Sequence, residues 1–96
     1  MSFSRIEKLK LLTTGQFKKD LKLIIRQGKK QSQIKTVIEM LLAGQRLPDK
    51  YRDHKLSGRW NKHRECHITG DWLLIYRVTD TELILERTGS HSELFG

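Results

Sequence analysis

The chain has 96 residues, of which 36% are hydrophobic and 31% charged; this globular composition excludes a disordered chain. Its single cysteine excludes an internal disulfide bond, and no apolar run approaches the roughly 18 residues of a membrane span. The net charge of +8 lies in residues 1–50, which hold 12 Lys and Arg against 4 Asp and Glu. We therefore expect one domain over residues 1–96 that acts in the cytoplasm, away from membranes, and attracts polyanions.

The first half predicts a short strand followed by a basic helix. Residues 5–12 alternate in part between polar and apolar side chains, as strands do. Thr13 and Gln16 have the spacing of a helix capping box, and Gly28 is placed to end that helix as a left-handed cap. The apolar stripe of this helix consists of Phe17, Leu21, Ile24 and Ile25. Its basic residues point elsewhere and are candidates for RNA binding: Lys18, Lys19, Lys22 and Arg26.

A second helix repeats this pattern and ends at Gly44. Its apolar stripe consists of Ile34, Val37, Ile38, Leu41 and Leu42. The short connection around residues 28–31 predicts an antiparallel helical hairpin that covers a sheet. Pro48 then closes the helical half of the chain.

The last third predicts strands in a meander. The predicted segments are a strand over 60–68, a turn over 69–71, a strand over 72–78, a loop over 79–82 and a strand over 83–88. The apolar run 73–75 alternates poorly, so the second of these strands should be central and covered on both faces. The predicted fold class is therefore α+β, with an antiparallel β-sheet packed against an N-terminal two-helix hairpin.

The same third contains all four histidines of the chain. In a meander, His67 and Asp71 flank one turn, while Arg87 and His91 return towards that edge and His54 precedes the first strand. Imidazoles titrate near neutral pH, and RNA supplies its own nucleophile, the 2′-hydroxyl. A base, an acid and a cation that stabilises the phosphorane are therefore sufficient for RNA cleavage without a metal or another cofactor.

A zinc site is the main chemical alternative. His54, His63, Cys66 and His67 are possible ligands, but their spacing matches no common zinc pattern. On a strand, Cys66 and His67 point to opposite faces, so they do not both reach one ion. Cys66 is more simply explained as a core residue.

Several segments of the sequence resemble one family in order and spacing. They are YRDH ending at His54, LSGRW ending at Trp60, RECH ending at His67, GDWLLIY ending at Tyr76 and ERTGSHSELFG ending at Gly96. The chain is similar in these segments to the YafQ-type toxins of bacterial type II toxin-antitoxin systems, a branch of the RelE/ParE superfamily. The resemblance implies a RelE-like microbial RNase fold and a ribosome-dependent endoribonuclease that cuts mRNA and is silenced by an antitoxin.

The resemblance also implies roles for particular residues. The implied acid-base residues are His54, His67, Asp71 and His91, with Arg87 stabilising the phosphate and Phe95 as an aromatic residue near the site. Phe95 and Trp72 are candidates for stacking on a base, although Trp72 also begins an apolar run. His63 receives no role and is expected at the surface. The expected partners are mRNA, the ribosome and a cognate antitoxin, acidic where it meets residues 1–50.

Two other functions compete with the nuclease. One is a ParE-like toxin that binds gyrase, and the other is a non-catalytic RNA-binding module. Neither needs an acid-base pair, so the combination of histidines, Asp71 and Arg87 favours the nuclease over both.

Overall fold

The computed structural model describes residues 9–96. Within this range, three α-helices and five strands alternate with two short 3-10 turns. The helices are α1 (Gly15–Arg26), α2 (Gln31–Leu42) and α3 (His91–Phe95). The strands are β1 (Lys10–Thr13), β2 (His54–Lys55), β3 (Arg64–Thr69), β4 (Trp72–Val78) and β5 (Glu82–Ser90). The predicted α+β class is confirmed.

The five strands form one sheet in the order β1-β5-β4-β3-β2. The three pairs β2–β3, β3–β4 and β4–β5 are antiparallel, as the predicted meander requires. β1 pairs with β5 in parallel, so the sheet is mixed rather than wholly antiparallel. The reason is that α1, α2 and the meander separate β1 from β5, and a connection of that length permits parallel pairing. Residues 5–8 of the predicted first strand lie outside the described residues.

The N-terminus of α1 differs by one residue from the predicted cap. Thr13 still pairs with Leu85 in the sheet, so the extended N-cap position falls to Thr14. The Thr14 hydroxyl accepts a hydrogen bond of 2.9 Å from the Phe17 amide and donates one of 2.9 Å to the Glu86 carbonyl. α1 is therefore fixed to β5 at its first turn. At the other end, Gly28 follows the helix with a φ of 98°, which confirms the predicted left-handed cap.

β4 is the central strand and is buried on both faces, as predicted. Trp72, Leu74 and Tyr76 belong to the large core that the helices cover, together with Phe17, Ile24, Ile34, Val37 and Leu41. Leu73 and Ile75 face the other side, where they pack with Leu94 of α3. Both predicted helix stripes face the large core, with their remaining members partly buried against it. The sheet thus has a helix-covered face and an opposite face, and both contribute apolar packing.

Two segments of the last third differ from the prediction. The strand predicted over 60–68 begins only at Arg64, because Gly58–Trp60 forms a 3-10 turn and the His63 amide donates to the Trp60 carbonyl. His54 and Lys55 form the short edge strand β2, which pairs with β3. The strand predicted over 83–88 extends over Glu82–Ser90 and leads directly into α3. Within residues 9–96, no helix has the length and apolar content needed to cross a membrane.

Candidate active site

A buried glutamate joins two of the predicted catalytic histidines. Glu65 lies on β3, opposite His54 of β2 and two residues before His67. Its Oε1 atom is 3.3 Å from His54 Nε2 and 4.0 Å from His67 Nε2, and its side chain is 7% exposed. The other ring nitrogen of His54, Nδ1, lies 2.8 Å from the Arg52 carbonyl. Both ring nitrogens of His54 thus face oxygen atoms, which fixes the orientation of the ring.

Asp53 fixes the segment that carries His54. Its Oδ2 atom accepts hydrogen bonds from Arg64 Nε and Nη2 at 3.1 and 2.9 Å, and its Oδ1 atom accepts one from the Tyr76 hydroxyl. Burial raises the pKa of Tyr76, and the hydrogen bond to Asp53 raises it further, so the phenol remains a donor. β2 is therefore attached through Asp53 to β3 and to the central strand.

His91 is the first residue of α3 and is held by the turn between β3 and β4. Its amide donates to Asp71 Oδ1 at 3.2 Å, and its ring lies 5.0 Å from the ring of Phe95, centroid to centroid. Ser90 and Glu93 form a capping box that starts the helix, and Leu94 is buried against Leu73 and Ile75. The tail is therefore ordered by two polar caps and one apolar anchor.

A β-bulge in β5 sets the position of Arg87. Leu85 pairs with Tyr76 and Arg87 pairs with Ile75, so Glu86 is the extra residue between them. Leu85 and Thr88 are both buried, three positions apart, whereas a regular strand returns to one face after two. The bulge therefore leaves Glu86 and Arg87 together outside the main core, and bulges of this kind often redirect side chains beside active sites.

Arg87 forms a two-point ion pair with Asp20 of α1. Arg87 Nε lies 2.7 Å from Asp20 Oδ2, and Nη2 lies 3.1 Å from Oδ1. Burial alone would raise the pKa of the Asp20 carboxyl, but hydrogen bonds from Arg87, Gln16 and Thr88 outweigh it and hold that pKa below its ordinary value. The bond from Asp20 raises the pKa of Arg87 above its already high value, so the guanidinium is a permanent cation.

The sheet register brings these groups onto neighbouring rows. One row runs across the sheet through Glu65, Ile75 and Arg87, and the next runs through His67, Leu73 and Gly89. His91 follows at the end of β5, with Asp71 at the adjacent turn. Strands lie about 4.8 Å apart, so each row spans roughly 10 Å between β3 and β5. The predicted acid-base and phosphate residues thus lie on these rows or beside them, with His54 one strand further out, opposite Glu65: His54, His67, Asp71, Arg87 and His91.

Other predicted site residues are not brought to this place. Trp72 is 1% exposed, and its Nε1 donates to Thr88 Oγ1 at 2.8 Å, so its ring lies in the core and does not offer a face to a base. Phe95, by contrast, is 38% exposed beside His91. Four predicted RNA-binding side chains of α1 are exposed: Lys18, Lys19, Lys22 and Arg26. By helical spacing, Lys18 and Lys22 point away from Asp20, which binds Arg87, whereas Lys19 and Arg26 lie on the flank between the two sides.

The surface position predicted for His63 is wrong. Both of its ring nitrogens are buried without a hydrogen bond of good geometry, although Nε2 lies 3.1 Å from Glu86 Oε2. The ring packs edge-on against Trp60 at 5.1 Å. Trp60 and Leu56 cover the outer face of the sheet there, which withdraws His63 from solvent. His63 therefore supports the bulge through Glu86 rather than forming part of the surface.

The zinc alternative is not supported by the arrangement of its ligands. Cys66 is buried in the helix-side core, where burial raises the pKa of its thiol, while His67 on the next position contacts Glu65. Among residues 9–96, no group of three or more His, Cys, Asp or Glu side chains is arranged to hold a metal ion. The prediction that Cys66 is a core residue is confirmed.

A cavity of about 320 Å³ adjoins the α3 end of the site. Asp71, Ser90 and Glu93 line it on one side, and Gln27 and Lys29 line it from the end of α1. A larger cavity of about 480 Å³ lies between α2 and the turn at Gly70 and contains none of the predicted acid-base side chains. Of these two cavities, only the smaller is lined by a predicted acid-base residue, Asp71, and its lining offers both hydrogen-bond donors and acceptors.

Two carboxylates that contact the predicted site residues, Glu65 and Asp20, were not among those residues: Glu65 was only one of the polar groups available near the histidines, and Asp20 received no role. Glu65 is close in sequence to His67, but its contact with His54 depends on the β2–β3 register. Asp20 lies among lysines on α1 and is 67 residues from Arg87. The only sequence signal for Asp20 is that it falls beside the apolar stripe of α1 rather than on its basic side.

Known proteins resemble this chain along most of its length. The family model described as the bacterial toxin of type II toxin-antitoxin system, YafQ, matches residues 9–96. The mRNA interferase toxin YafQ of Escherichia coli strain K12 is 42% identical over 84 residues, which cover 86% of this chain and 91% of that protein.

Two solved structures are also similar to the whole fold. A chain of the Escherichia coli DinJ-YafQ complex has a TM-score of 0.87 at 39% identity and covers 93% of this chain and 100% of its own length. A copper-bound mutant toxin from Helicobacter pylori has a TM-score of 0.87 at 45% identity and covers 91% of this chain and 99% of its own length.

The fold and the site thus define a small toxin of the bacterial type II toxin-antitoxin class. Because the family model spans nearly all of the chain and a relative above 40% identity covers most of it, the chain belongs to the YafQ family.

Proposed function

We propose that this chain is an mRNA interferase, a single-domain endoribonuclease that cleaves mRNA on the ribosome in the cytoplasm and so stops translation. The observation that carries the proposal is the convergence of imidazoles and a fixed guanidinium on neighbouring rows of one sheet. Glu65 of β3 and Arg87 of β5 lie at the two ends of one row across the sheet. On the next row, His67 of β3 lies across from Gly89 of β5, which is two residues before His91. The name of the Escherichia coli relative, an mRNA interferase, supports the same activity.

Cleavage follows from the chemistry of RNA itself. A base removes the proton of the 2′-hydroxyl, whose oxygen forms a bond to phosphorus while the bond from phosphorus to the 5′-oxygen breaks. An acid protonates the departing 5′-oxygen, which leaves a 2′,3′-cyclic phosphate and a 5′-hydroxyl. His91 presents an exposed ring at the start of α3, and His54 and His67 share the buried Glu65 carboxylate. Imidazoles on both sides of the linkage thus supply the base and the acid.

Arg87 stabilises the charge that develops on the phosphate. Two of its five N–H groups donate to Asp20, which leaves three that do not contact Asp20 for the phosphoryl oxygens. A cation held in place before reaction stabilises a charged transition state without having to reorganise. Phe95 packs beside His91 and offers a partly exposed ring for stacking on a neighbouring base.

A cognate antitoxin is the second partner. A solved complex pairs the related Escherichia coli toxin with DinJ. The exposed basic residues of α1 suit an acidic segment of such a partner better than they suit the scissile linkage, because they lie on the solvent-facing surface of the helix and not on the sheet rows that carry His67 and Arg87. We therefore place Lys18, Lys19, Lys22 and Arg26 in long-range attraction to the antitoxin, the ribosome and mRNA rather than at the reacting phosphate.

The test is a purified cleavage assay with mRNA in the presence and absence of ribosomes. We expect cleavage with ribosomes, a loss of about 100-fold or more in His91→Ala and a similar loss in Arg87→Ala, the sizes typical of acid-base and electrostatic groups. Asp80→Asn is the control, because this exposed residue lies in the loop between β4 and β5, and it should cleave at close to the wild-type rate.

Two outcomes would contradict the proposal. One is undiminished cleavage in both His91→Ala and Arg87→Ala. The other is growth arrest in cells whose transcripts keep intact 5′ ends, as a gyrase-directed toxin would give.

A further inference from the structure

Asp20 is a largely buried acidic residue on a helix whose basic residues are exposed. It is the only acidic residue of a helix that carries three lysines and an arginine, and its side chain is only 9% exposed. Each of its oxygens accepts two hydrogen bonds. Oδ1 accepts from Gln16 Nε2 at 2.9 Å and from Arg87 Nη2 at 3.1 Å, and Oδ2 accepts from Arg87 Nε at 2.7 Å and from the Thr88 amide at 3.2 Å.

The two bonds to Arg87 fix the plane of its guanidinium. A single bond would allow the long arginine side chain to rotate, whereas two parallel N–H to oxygen bonds define both its position and its orientation. Asp20 is itself fixed to the sheet through the Thr88 amide, and Gln16 only adds a solvent-exposed bond from its own helix. The carboxylate is therefore a rigid support that has little freedom to follow a moving arginine.

The Thr88 bond ties this support to the backbone of β5. β1 pairs with β5 only as far as Leu85, so the outer edge of β5 beyond that point has no neighbouring strand among the described residues. The Thr88 amide at that edge finds its acceptor in Asp20. The same carboxylate thus holds both the side chain of Arg87 and the backbone that follows the bulge.

We propose that Asp20 is the positioning residue for Arg87, which it presents to the phosphate in the orientation that the cleavage step requires. This inference rests on the proposed function, because it assigns Asp20 a role only if Arg87 stabilises the phosphate. Asp20 touches neither the substrate nor the reacting atoms and acts only through Arg87. The N–H groups of Arg87 that do not bind Asp20 are then oriented towards the position of the phosphate before the mRNA binds.

The test compares Asp20→Asn with two control variants in the ribosome-dependent assay. Asparagine keeps the shape of the side chain but turns an amide donor towards a guanidinium that can only donate. We expect kcat to fall by about 100-fold with little change in KM, because displacing a catalytic group by about 1 Å can cost that much. Gln16→Ala removes one bond to Asp20 but leaves the ion pair, and Glu39→Gln removes an exposed charge from α2. Both controls should stay within about 2-fold of wild type.

A double-mutant cycle separates positioning from folding. If Asp20 acts through Arg87, Asp20→Asn should cost less than about 3-fold in an Arg87→Ala background, because residues that act as a unit are not additive. All rates are taken at a temperature at which denaturation curves show each variant folded. The 15N–1H signal of Arg87 Nε gives a readout that does not depend on cleavage. It should be protected from exchange in wild type and in Gln16→Ala, and lose that protection in Asp20→Asn.

The outcomes distinguish this inference from the function on which it rests. Wild-type kcat in Asp20→Asn, or an equal loss in both backgrounds, would overturn the positioning role while leaving Arg87 as the phosphate residue. Full activity in Arg87→Ala would overturn the role of Arg87 in the proposed function, and the positioning role with it.

Discussion

Glu65 is an acidic residue whose side chain is buried. Its Oε2 atom is buried without a hydrogen-bond partner, while Oε1 lies between His54 and His67. Burying a carboxylate oxygen without a partner costs free energy of folding. A position of this kind reduces stability, and the contacts of Oε1 indicate that its benefit is the orientation of the two imidazoles.

Replacement of Glu65 by glutamine should separate activity from stability. We expect Glu65→Gln to lower the cleavage rate by about 10-fold or more, since acid-base groups contribute about 10²–10⁴-fold and this change disturbs two of them. The free energy of unfolding should not fall, because the neutral amide avoids the cost of burying a charge. Urea denaturation and the pH-rate profile measure the two effects, with the exposed Asp80→Asn as a charge-matched control. A stability loss with an unchanged pH-rate profile would make Glu65 a structural residue only.

At the level of elements, α3 determines where His91 lies. The helix has only five residues and is too short to be stable alone, so it depends on its caps and on Leu94. Ser90 Oγ accepts from the Glu93 amide at 3.2 Å, and Glu93 Oε1 accepts from the Ser90 amide at 2.8 Å. Loss of either cap frees the first turn, which contains His91.

Ser90→Ala tests this dependence. An N-cap of this type contributes about 1 kcal/mol, so the free energy of unfolding should fall by about that amount, and amide exchange in residues 91–95 should accelerate. Because His91 then samples more orientations, the cleavage rate should fall several-fold. Ser57→Ala, at an exposed serine outside α3 that makes no side-chain cap bond, is the control. A wild-type cleavage rate in a Ser90 variant with accelerated exchange would show that α3 does not position His91.

Elements with a strong hydrophobic period were predictable from sequence, and those without one were not. The stripes of α1 and α2 and the apolar run of β4 follow from residue spacing, because each must bury a whole face. α3 lacks such a stripe, and only the Ser90 and Glu93 spacing indicates a helix start. The parallel pairing of β1, the bulge at Glu86 and the bond from Asp20 to Arg87 join distant parts of the chain, which no local pattern specifies.

The same distinction applies to the candidate site. Residue chemistry, meander geometry and family resemblance predicted His54, His67, Asp71, Arg87 and His91 as site residues. The structure places them on strands of one sheet and at the turn and helix beside it, and their roles stay a prediction. Trp72 was ambiguous because an aromatic residue at the start of a strand serves a core as well as a binding surface. Its bond to Thr88 resolves the ambiguity in favour of the core.

For the molecule as a whole, charge and chemistry occupy different halves of the sequence. Residues 1–50 carry the positive excess, whereas residues 51–96 hold 7 Lys and Arg against 7 Asp and Glu. A basic half attracts mRNA, the ribosome and an acidic antitoxin at long range. In the balanced half, three imidazoles instead lie within 4.0 Å of a specific glutamate: His54, His63 and His67. α1 joins the two halves, since its basic side faces outward while Asp20 reaches Arg87.

The central claim is that the message supplies the nucleophile and the protein supplies acid, base and cation. The most direct measurement uses a synthetic mRNA with one 2′-deoxynucleotide on the 5′ side of the mapped cut, incubated with toxin and ribosomes. We predict that cleavage at that linkage disappears, while the all-ribose message yields 2′,3′-cyclic phosphate and 5′-hydroxyl ends. Cleavage of the deoxy-substituted linkage at an unchanged rate, with 5′-phosphate ends, would contradict the mechanism.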